Sequence, residues 1–533
     1  MLSNVNLESL ALRLRPEHDV YVPGGYDVWI QKLLDVDSGF YKFNPEDCFI
    51  IIDAKGNFEG ETAENAIVKA AKILTRCNFY ISTLDAPTHL ILPLKESLIL
   101  DKARFEWYLI LSEMVSGYGN IYPLNLSILL ERRGSEQLYS AKMWYLSGIP
   151  FSAYGEKVLS AMILNIVKTR RTARKKCLIL DLDNTLWGGV IGEDGIGGIE
   201  LDITREGARY RDFQKNILAI KNTGVLLAIS SKNNIEDVEI AFKHPYMLLK
   251  PEDFVIKKIN WRSKSQNIAE IATELNISVD SLVFIDDNPA ERAEVRAMLP
   301  DVAVPEFPQD TCKLEEFTAN LFADYFFILD LSDEDTNKHR MYAENIAREG
   351  SKSGFENASD YLEDLNITLK MEKVTETTLH RAFQMVQKTN QFNLTTIRYS
   401  EMGLQEIMKN SDYLIVIGQA ADRFGDNGHC LLMVCKKLDC KTAEIESFLM
   451  SCRVMGRTVE RAALIYLEDV LKTEGIEIVR SSYIFTNKNS PVREFYDSMG
   501  YTLTNEDKSG DKYYMRAILD TREEEKNCFV TVV

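Results

Sequence analysis

Cys177-Leu178-Ile179-Leu180-Asp181-Leu182-Asp183-Asn184-Thr185 is a short apolar run that ends in two carboxylates two residues apart. The run predicts a buried strand of a parallel sheet, and open parallel sheets place their chemistry at the carboxyl ends of their strands. Two residues apart on a segment leaving the strand, Asp181 and Asp183 can reach one small site. A second strand is predicted over residues 224–229, ending in Ser230-Ser231-Lys232-Asn233. Lys264 follows in Asn260-Trp261-Arg262-Ser263-Lys264, and a third strand, residues 281–285, ends in Asp286-Asp287-Asn288. DxDxT alone is a weak string. An apolar strand before each acidic motif, with a lysine between, makes chance a poor explanation.

The order and spacing of these four pieces resemble the haloacid-dehalogenase (HAD) superfamily. The resemblance makes Asp181 the nucleophile that attacks phosphorus and forms an aspartyl phosphate, splitting one difficult displacement into two. Asp183 is then the acid that protonates the leaving group and the base that activates the acceptor. Ser231 donates to the transferring phosphoryl group and Lys264 neutralises its charge. Asp181, the Asp183 carbonyl, Asp286 and Asp287 are the implied oxygen ligands of Mg²⁺. Without a cation and a lysine, so many carboxylates would repel a phosphate.

The nucleophile motif continues as Trp187-Gly188-Gly189-Val190-Ile191-Gly192-Glu193-Asp194-Gly195, whose glycines predict a tight hairpin flap. The short stretch from Thr185 to Ser231 leaves no room for a large cap domain, so the site is open to a bulky substrate or a neighbouring domain. These strings, with SSKNN, KINWRSKSQNI and FIDDNPAER, resemble the FkbH-like family of HAD proteins. The likeness continues in residues 389–396 (TNQFNLTT), 422–428 (DRFGDNG), 451–457 (SCRVMGR) and 145–153 (YLSGIPFSA). Within these motifs Thr185, Trp187, Asn233, Asn390, Arg423, Arg453, Gly456 and Arg457 are the expected substrate-binding residues.

The implied fold is α/β. A Rossmann-like HAD domain with a parallel sheet and minimal cap (172–335) is flanked by a degenerate SGNH-hydrolase-like α/β domain (1–165) and a GNAT-like α+β domain (372–519). A helical linker (336–371) and a loosely held tail (520–533) complete the chain. In the first domain, Cys48–Asp53 and Leu90–Pro93 read as strands and Glu61–Cys77 as an amphipathic helix. Ser3 and His89 lie in no nucleophile motif, and no GDS string is present, so no esterase activity is carried over. In the last domain, Ile445–Cys452 reads as a strand, Val459–Thr473 as a helix, and Arg453–Thr458 between them resembles the GNAT loop whose backbone N–H groups cradle the pyrophosphate of coenzyme A. Thr458 stands where that motif has a small residue.

A length of 533 residues suggests three units at ~150 residues each. A net charge of −18 disfavours sequence-independent nucleic-acid binding. No apolar run is long enough to span a bilayer and the amino terminus lacks a signal-peptide pattern, so a cytoplasmic protein with no membrane partner is expected. Nine scattered cysteines without a CxxC pair fit a reducing compartment and no structural zinc. The basic run Lys168–Lys176 reads as a solvated linker in preference to an anion patch.

The FkbH-like resemblance implies a bifunctional enzyme. It would take 1,3-bisphosphoglycerate, release phosphate, hold the glyceryl unit as a thioester on a cysteine, and pass it to the phosphopantetheine thiol of an acyl carrier protein for polyketide or related biosynthesis. Cys452, before the phosphate-type loop, is the expected relay; a nearby Arg453 or Arg457, or the helix amino terminus, could lower its pKa. Cys430, beside His429, is the runner-up, and Arg457 and Arg461 are the expected contacts of an acidic carrier. Two alternatives stand beside this: a Mg²⁺-dependent HAD phosphatase acting on another phosphomonoester under a non-catalytic GNAT-like lid, and a carrier-binding component without catalysis.

Overall fold

The computed structural model describes residues 1–25, 27–54, 58–84, 93, 99–171, 174–352, 354–355, 357–518 and 529–533. The chain forms two compact units, Met1–Thr172 and Ala173–Val533.

The first unit holds a parallel sheet of four strands: β1 (Leu2–Ser3), β2 (Asp47–Ile51), β3 (Asn78–Ser82) and β4 (Ile121–Leu124), in that spatial order. The strand expected at Cys48–Asp53 and the helix expected at Glu61–Cys77 form as β2 and as Gly60–Ile73. Strand β3 is hidden from a reading of the pattern, because its short apolar run follows the helix closely without a Gly or Pro break. The segment Leu90–Pro93 and His89 lie outside the described residues, Pro93 excepted. Ser3 donates to the Ile51 carbonyl and accepts from Val5 N, which ties β1 to β2. The final helix, Ala153–Arg171, runs past the boundary expected at residue 165.

The second unit opens with four parallel strands: β5 (Cys177–Leu180), β6 (Leu226–Ser231), β7 (Phe254–Ile259) and β8 (Leu282–Ile285), in the order β7-β6-β5-β8. Strand β5 is buried on both faces. Leu178 and Leu180 enter one core layer, and Cys177 and Ile179 the other. A doubly covered parallel sheet requires such an uninterrupted apolar run. Strand β7 gives no such signal, since Phe254–Ile259 carries two lysines towards its carboxyl end. The helix Asp333–Lys352 follows. Its start is tied to the sheet by Arg174, which pairs with Asp335 at 2.5 Å and donates to the Thr223 carbonyl at 2.9 Å. Arg174 and Lys175 of the basic run are thus engaged, the latter on the Asp280 carbonyl.

The remaining strands are β9 (Ile367–Lys373), β10 (Phe392–Asn393), β11 (Tyr413–Asp422), β12 (Gly425–Lys437), β13 (Thr442–Met450), β14 (Ile478–Tyr483), β15 (Thr502–Glu506), β16 (Lys512–Ala517) and β17 (Val530–Val532). They form one sheet in the order β15-β16-β14-β13-β12-β11-β9-β17, with β10 paired to β13. Antiparallel pairing prevails, but β13 and β14, joined through the helix Val459–Thr473, are parallel. This is the α+β architecture expected of a GNAT-like domain. The tail expected to be loosely held ends in β17, which pairs with β9 and covers the sheet edge. Among the described residues no helix is long and apolar enough to cross a membrane.

Candidate active site

Strand β5 lies between β6 and β8, so Asp181, Ser231 and Asp286 leave three adjacent strands at the same edge of the sheet. Lys264 enters from the first turn of the helix after β7 and is 2% exposed. Its ammonium donates to Asp181 Oδ1 and to the Ser230 carbonyl at 2.6 Å, and lies 3.1 Å from Asp286 Oδ2. Burial alone would lower the lysine pKa, but the two carboxylates outweigh it and hold the value above the ordinary one.

Asp183, the expected acid, has its carboxylate fixed by three donors: Trp187 Nε1 at 3.0 Å and Ile191 N at 3.1 Å on Oδ1, and Asn233 Nδ2 at 2.8 Å on Oδ2. Asn233 also donates to Ser231 Oγ at 3.1 Å, so one amide aligns the acid with the expected phosphoryl contact. Three residues expected to bind substrate therefore have another task. Trp187 and Asn233 are buried against Asp183. Thr185 is buried against the third motif, accepting from Asp287 N at 3.2 Å. The sequence places them near the site but does not show that their polar atoms are spent inside the protein.

Asp181, Asp286 and Asp287 offer carboxylate oxygens that lie within 4.8 Å of one another. Asp286 is 1% exposed; its Oδ1 accepts from Asn288 N, and among the described residues Oδ2 has only the ion pair with Lys264. Burial, then the charge of Asp181, raises its carboxyl to about 6, and the same two causes raise Asp287. The trio thus carries more negative charge than Lys264 balances, in hard oxygen donors, which is the set a Mg²⁺ ion fits. Asp183 is outside the trio, its carboxylate turned to Trp187 and Asn233, which leaves only its carbonyl for a metal. Arg292, donating to the Asp286 and Asp287 carbonyls, holds the third motif in place; it closes the FIDDNPAER string, which by itself assigns it no role.

A pH dependence follows. Without metal, Asp286 binds its proton more tightly folded than unfolded, so its contribution to stability is greatest below pH ~4 and is lost as pH rises towards 6. Mg²⁺ would compete with that proton. Thermal melts with Mg²⁺ and with chelator are expected to differ more at pH 7 than at pH 5; equal differences would remove Asp286 from the metal site.

The flap is a wide loop closed where Gly188 and Glu200 exchange backbone hydrogen bonds, with a helical turn at Ile191–Asp194 in place of a tight hairpin. A Cβ on Gly188 would come within 2.9 Å of Glu200 and Tyr210, so only glycine fits.

The C-terminal candidates do not form a comparable site. Arg457 is 5% exposed; its guanidinium is held by Asp422, Asn345 Oδ1 and the Arg453 carbonyl. Burial lowers its pKa to about 10. Neither a phosphate nor a carrier protein can reach it, which corrects the expectation from the motif. Arg453 is buried too. Gly456 is exposed with φ +74°, as the loop requires. Burial raises the carboxyl of Glu460, in the first turn of the helix that follows this loop. Arg423 pairs with Asp364 at 2.5 Å and stacks on Phe424, whereas Asn390 accepts from Arg398. Beyond Ile445 and Ser481 the pairing of β13 with β14 stops, and the gap is filled by β10. Leu394 N donates to the Phe448 carbonyl at 3.0 Å, the Leu394 carbonyl accepts from Ile484 N at 2.7 Å, and Asn489 Nδ2 donates to the Asn393 carbonyl.

Cys452 is half-buried, in a short turn whose carbonyl accepts from Asn276 Nδ2 at 3.0 Å. Asn276 precedes β8, and Lys488 meets Asp280, also before β8, at 3.2 Å. The C-terminal domain therefore touches the amino edge of the β5–β8 sheet, and Asp181 lies at the carboxyl edge. A four-residue strand spans roughly 13 Å, so a direct handover between Asp181 and Cys452 within one chain is out of reach. Cys430 is fully buried with its thiol pushed up to about 11, which removes it as a relay.

No family model and no curated protein matches this chain. Among solved structures, it is similar to the N-terminal part of the protein BF1531 from Bacteroides fragilis, described as containing a phosphatase domain complexed with Mg. The identity is 26%, the TM-score 0.54, and the match covers 60% of this chain and 92% of that one. Smaller matches include the ribosomal-protein-S18-alanine N-acetyltransferase from Escherichia coli, with 14% identity, TM-score 0.23, and 29% of this chain and 97% of that one covered. An acetyltransferase from Thermus thermophilus has 14% identity and TM-score 0.23, with 29% and 99% covered. The motifs around Asp181 and the β5–β8 sheet give the middle of the chain the α/β architecture of a HAD-like domain, and the first of these likenesses is to a solved chain whose description includes a phosphatase domain.

Proposed function

We propose that this chain is a Mg²⁺-dependent HAD phosphatase acting on a small phosphorylated substrate. We further propose that it serves as an FkbH-like glyceryl transferase, which loads an acyl carrier protein from 1,3-bisphosphoglycerate. The observation that carries the first part is the Asp181–Lys264–Asp286 cluster, with Asp183 held beside it by Trp187 and Asn233. When bound, Mg²⁺ would supply charge neutralisation at the transferring phosphoryl group, held by Asp181, Asp286, Asp287 and the Asp183 carbonyl. Asp181 attacks phosphorus, Asp183 gives a proton to the leaving oxygen and later takes one from water, and Ser231 and Lys264 hold the phosphoryl oxygens.

The substrate 1,3-bisphosphoglycerate carries two different phosphoryl groups, an acyl phosphate and a phosphomonoester. A thiol attacking the acyl carbon expels the first; a HAD site hydrolyses the second. Two reactions need not share one place, so the distance between Cys452 and Asp181 is compatible with this reading.

Intact mass tests it. With 1,3-bisphosphoglycerate and Mg²⁺, a glyceryl adduct is expected that disappears on adding a holo carrier protein and does not form on Cys452→Ala. Phosphate release with no adduct, and normal turnover of Cys452→Ala, would end the transferase reading and leave the phosphatase.

A further inference from the structure

In the large sheet, β9 and β12 lie on either side of β11 and both end at the edge where β11 begins, with Lys373 and Lys437 as their last residues. One core layer takes Leu369 and Met371 of β9, Leu414 and Val416 of β11, and Met433 and Cys435 of β12. Lys373 and Lys437 stand two residues beyond Met371 and Cys435, so they extend the same face. Two strand spacings put their backbones roughly 10 Å apart. A third lysine, Lys409, follows the helix Glu401–Met408, in the turn that leads into β11. With Asn410, Ser411 and Glu474, the three lysines line a cavity of about 270 Å³ that has the buried Leu414 among its apolar walls.

The charge in this cavity is unbalanced. Lys373 and Lys409 are exposed, and among the described residues neither has a carboxylate at ion-pair distance. Lys437 meets Glu474 at 2.7 Å, and Glu474 is the single carboxylate among the lining residues. Asn410 spends its Oδ1 on Asp412 N at 2.9 Å, which leaves its side-chain N–H groups and the Ser411 hydroxyl as further donors. The helices Glu401–Met408 and Val459–Thr473 end here, and each carboxyl end carries about half a negative charge. Three ammoniums against one carboxylate outweigh that. Complementing a helix end accounts for Lys409 but not for Lys373 and Lys437, which belong to strands. The chain as a whole has a net charge of −18 and repels anions at a distance, so only such a local surplus of cations can hold one.

We infer that this cavity binds a small acid carrying at least two anionic groups, carboxylates or phosphates. Its volume lies below the ~300–1,000 Å³ of pockets for drug-sized ligands, so the ligand is small. Its cations converge from two strands and a turn. An anion with one charged group reaches one of them, whereas two groups held a few bonds apart engage the lysines on both sides of Leu414 in charge-assisted hydrogen bonds. The site shares no residue with the Asp181 cluster, so the inference stands or falls apart from the phosphatase reading. It is also separate from Cys452. Lys437 pairs with Ala443 at the start of β13, and Cys452 follows the end of that nine-residue strand, roughly 30 Å away.

Titration calorimetry of the full chain tests it, with citrate and inorganic pyrophosphate as probes and acetate as the singly charged control. Divalent metal is left out, so the carboxylate-rich Asp181 site does not compete for anions. One probe molecule per chain is expected, bound at least tenfold more tightly than acetate. Lys373→Met and Lys409→Met should each weaken binding about tenfold, and Lys409→Arg should retain it. Both lysines are exposed, so neither change threatens the fold. Lys441→Met serves as the control, because Lys441 pairs with Glu477 beside the β12–β13 turn and lies outside the cavity; it should change affinity less than twofold. Binding of citrate alone makes the ligand a carboxylic acid, and binding of pyrophosphate alone makes it a phosphate. No saturation by either probe at about 10 mM overturns the inference. So does acetate binding as tightly as citrate, or Lys441→Met weakening the probes as much as Lys409→Met, which would mark diffuse attraction to the edge of the sheet.

Discussion

Asp181→Asn is expected to abolish phosphate release, lowering kcat by a factor on the order of 10⁴–10⁶, as removal of a covalent nucleophile does elsewhere. The amide keeps the shape of the side chain and an oxygen for Lys264, so the fold should survive; far-UV circular dichroism and the melting temperature would show it. Strand β5 is buried on both faces, and Asp181 leaves its end only 8% exposed, in contact with the Lys264 ammonium. Residual turnover above one-hundredth of the wild-type rate would take the nucleophile's role from Asp181, and with it the HAD mechanism.

Lys264→Met is expected to act twice. In metal-free protein it leaves Asp181 and Asp286 buried side by side without a cation. Breaking a buried pair in this way costs about 3–5 kcal/mol, and Asp286, already raised to about 6 with Lys264 present, would rise further. Mg²⁺ should restore part of that loss, so the melting temperature of the variant should respond to the metal more strongly than that of the wild type. Catalysis should fall by roughly 10²–10³, the effect of removing one preorganised partner of a developing charge. A variant as stable as the wild type in chelator, and equally active, would show that the ammonium is not part of the charge balance of the site.

The buried cluster at Arg457 shows where a motif can mislead. Arg348, fully buried, pairs with Asp422 at 2.7 Å, and Arg457 shares the same carboxylate. The pattern SCRVMGR suggests a cradle for a ligand's phosphates. Arg457 is instead held from within: by Asp422 at the end of β11 and by Asn345 on the helix Asp333–Lys352. Each partner is distant in sequence or lies on the wrong side of the motif for a reader of the string to pair it. The same holds for Thr185, Trp187 and Asn233, whose motifs suggest contact with substrate and which in fact position Asp183 and Asp287.

What the amino-acid order determined by itself was local: an apolar run long enough for a doubly buried strand, a carboxylate at its end, a lysine at a helix start, and their sequence along the chain. Those features depend on periodicity and on neighbours a few residues away, and they suffice to assemble Asp181, Asp183, Ser231, Lys264 and Asp286 into one expected site. Only the tertiary structure decided which polar groups face solvent and which edge of the sheet each loop reaches. It put Cys452 beside Asn276 at the amino edge, filled the gap between β13 and β14 with β10, and left Trp261 in the open. Burial of a side chain is set by what packs against it from remote parts of the chain, and no short pattern contains that information.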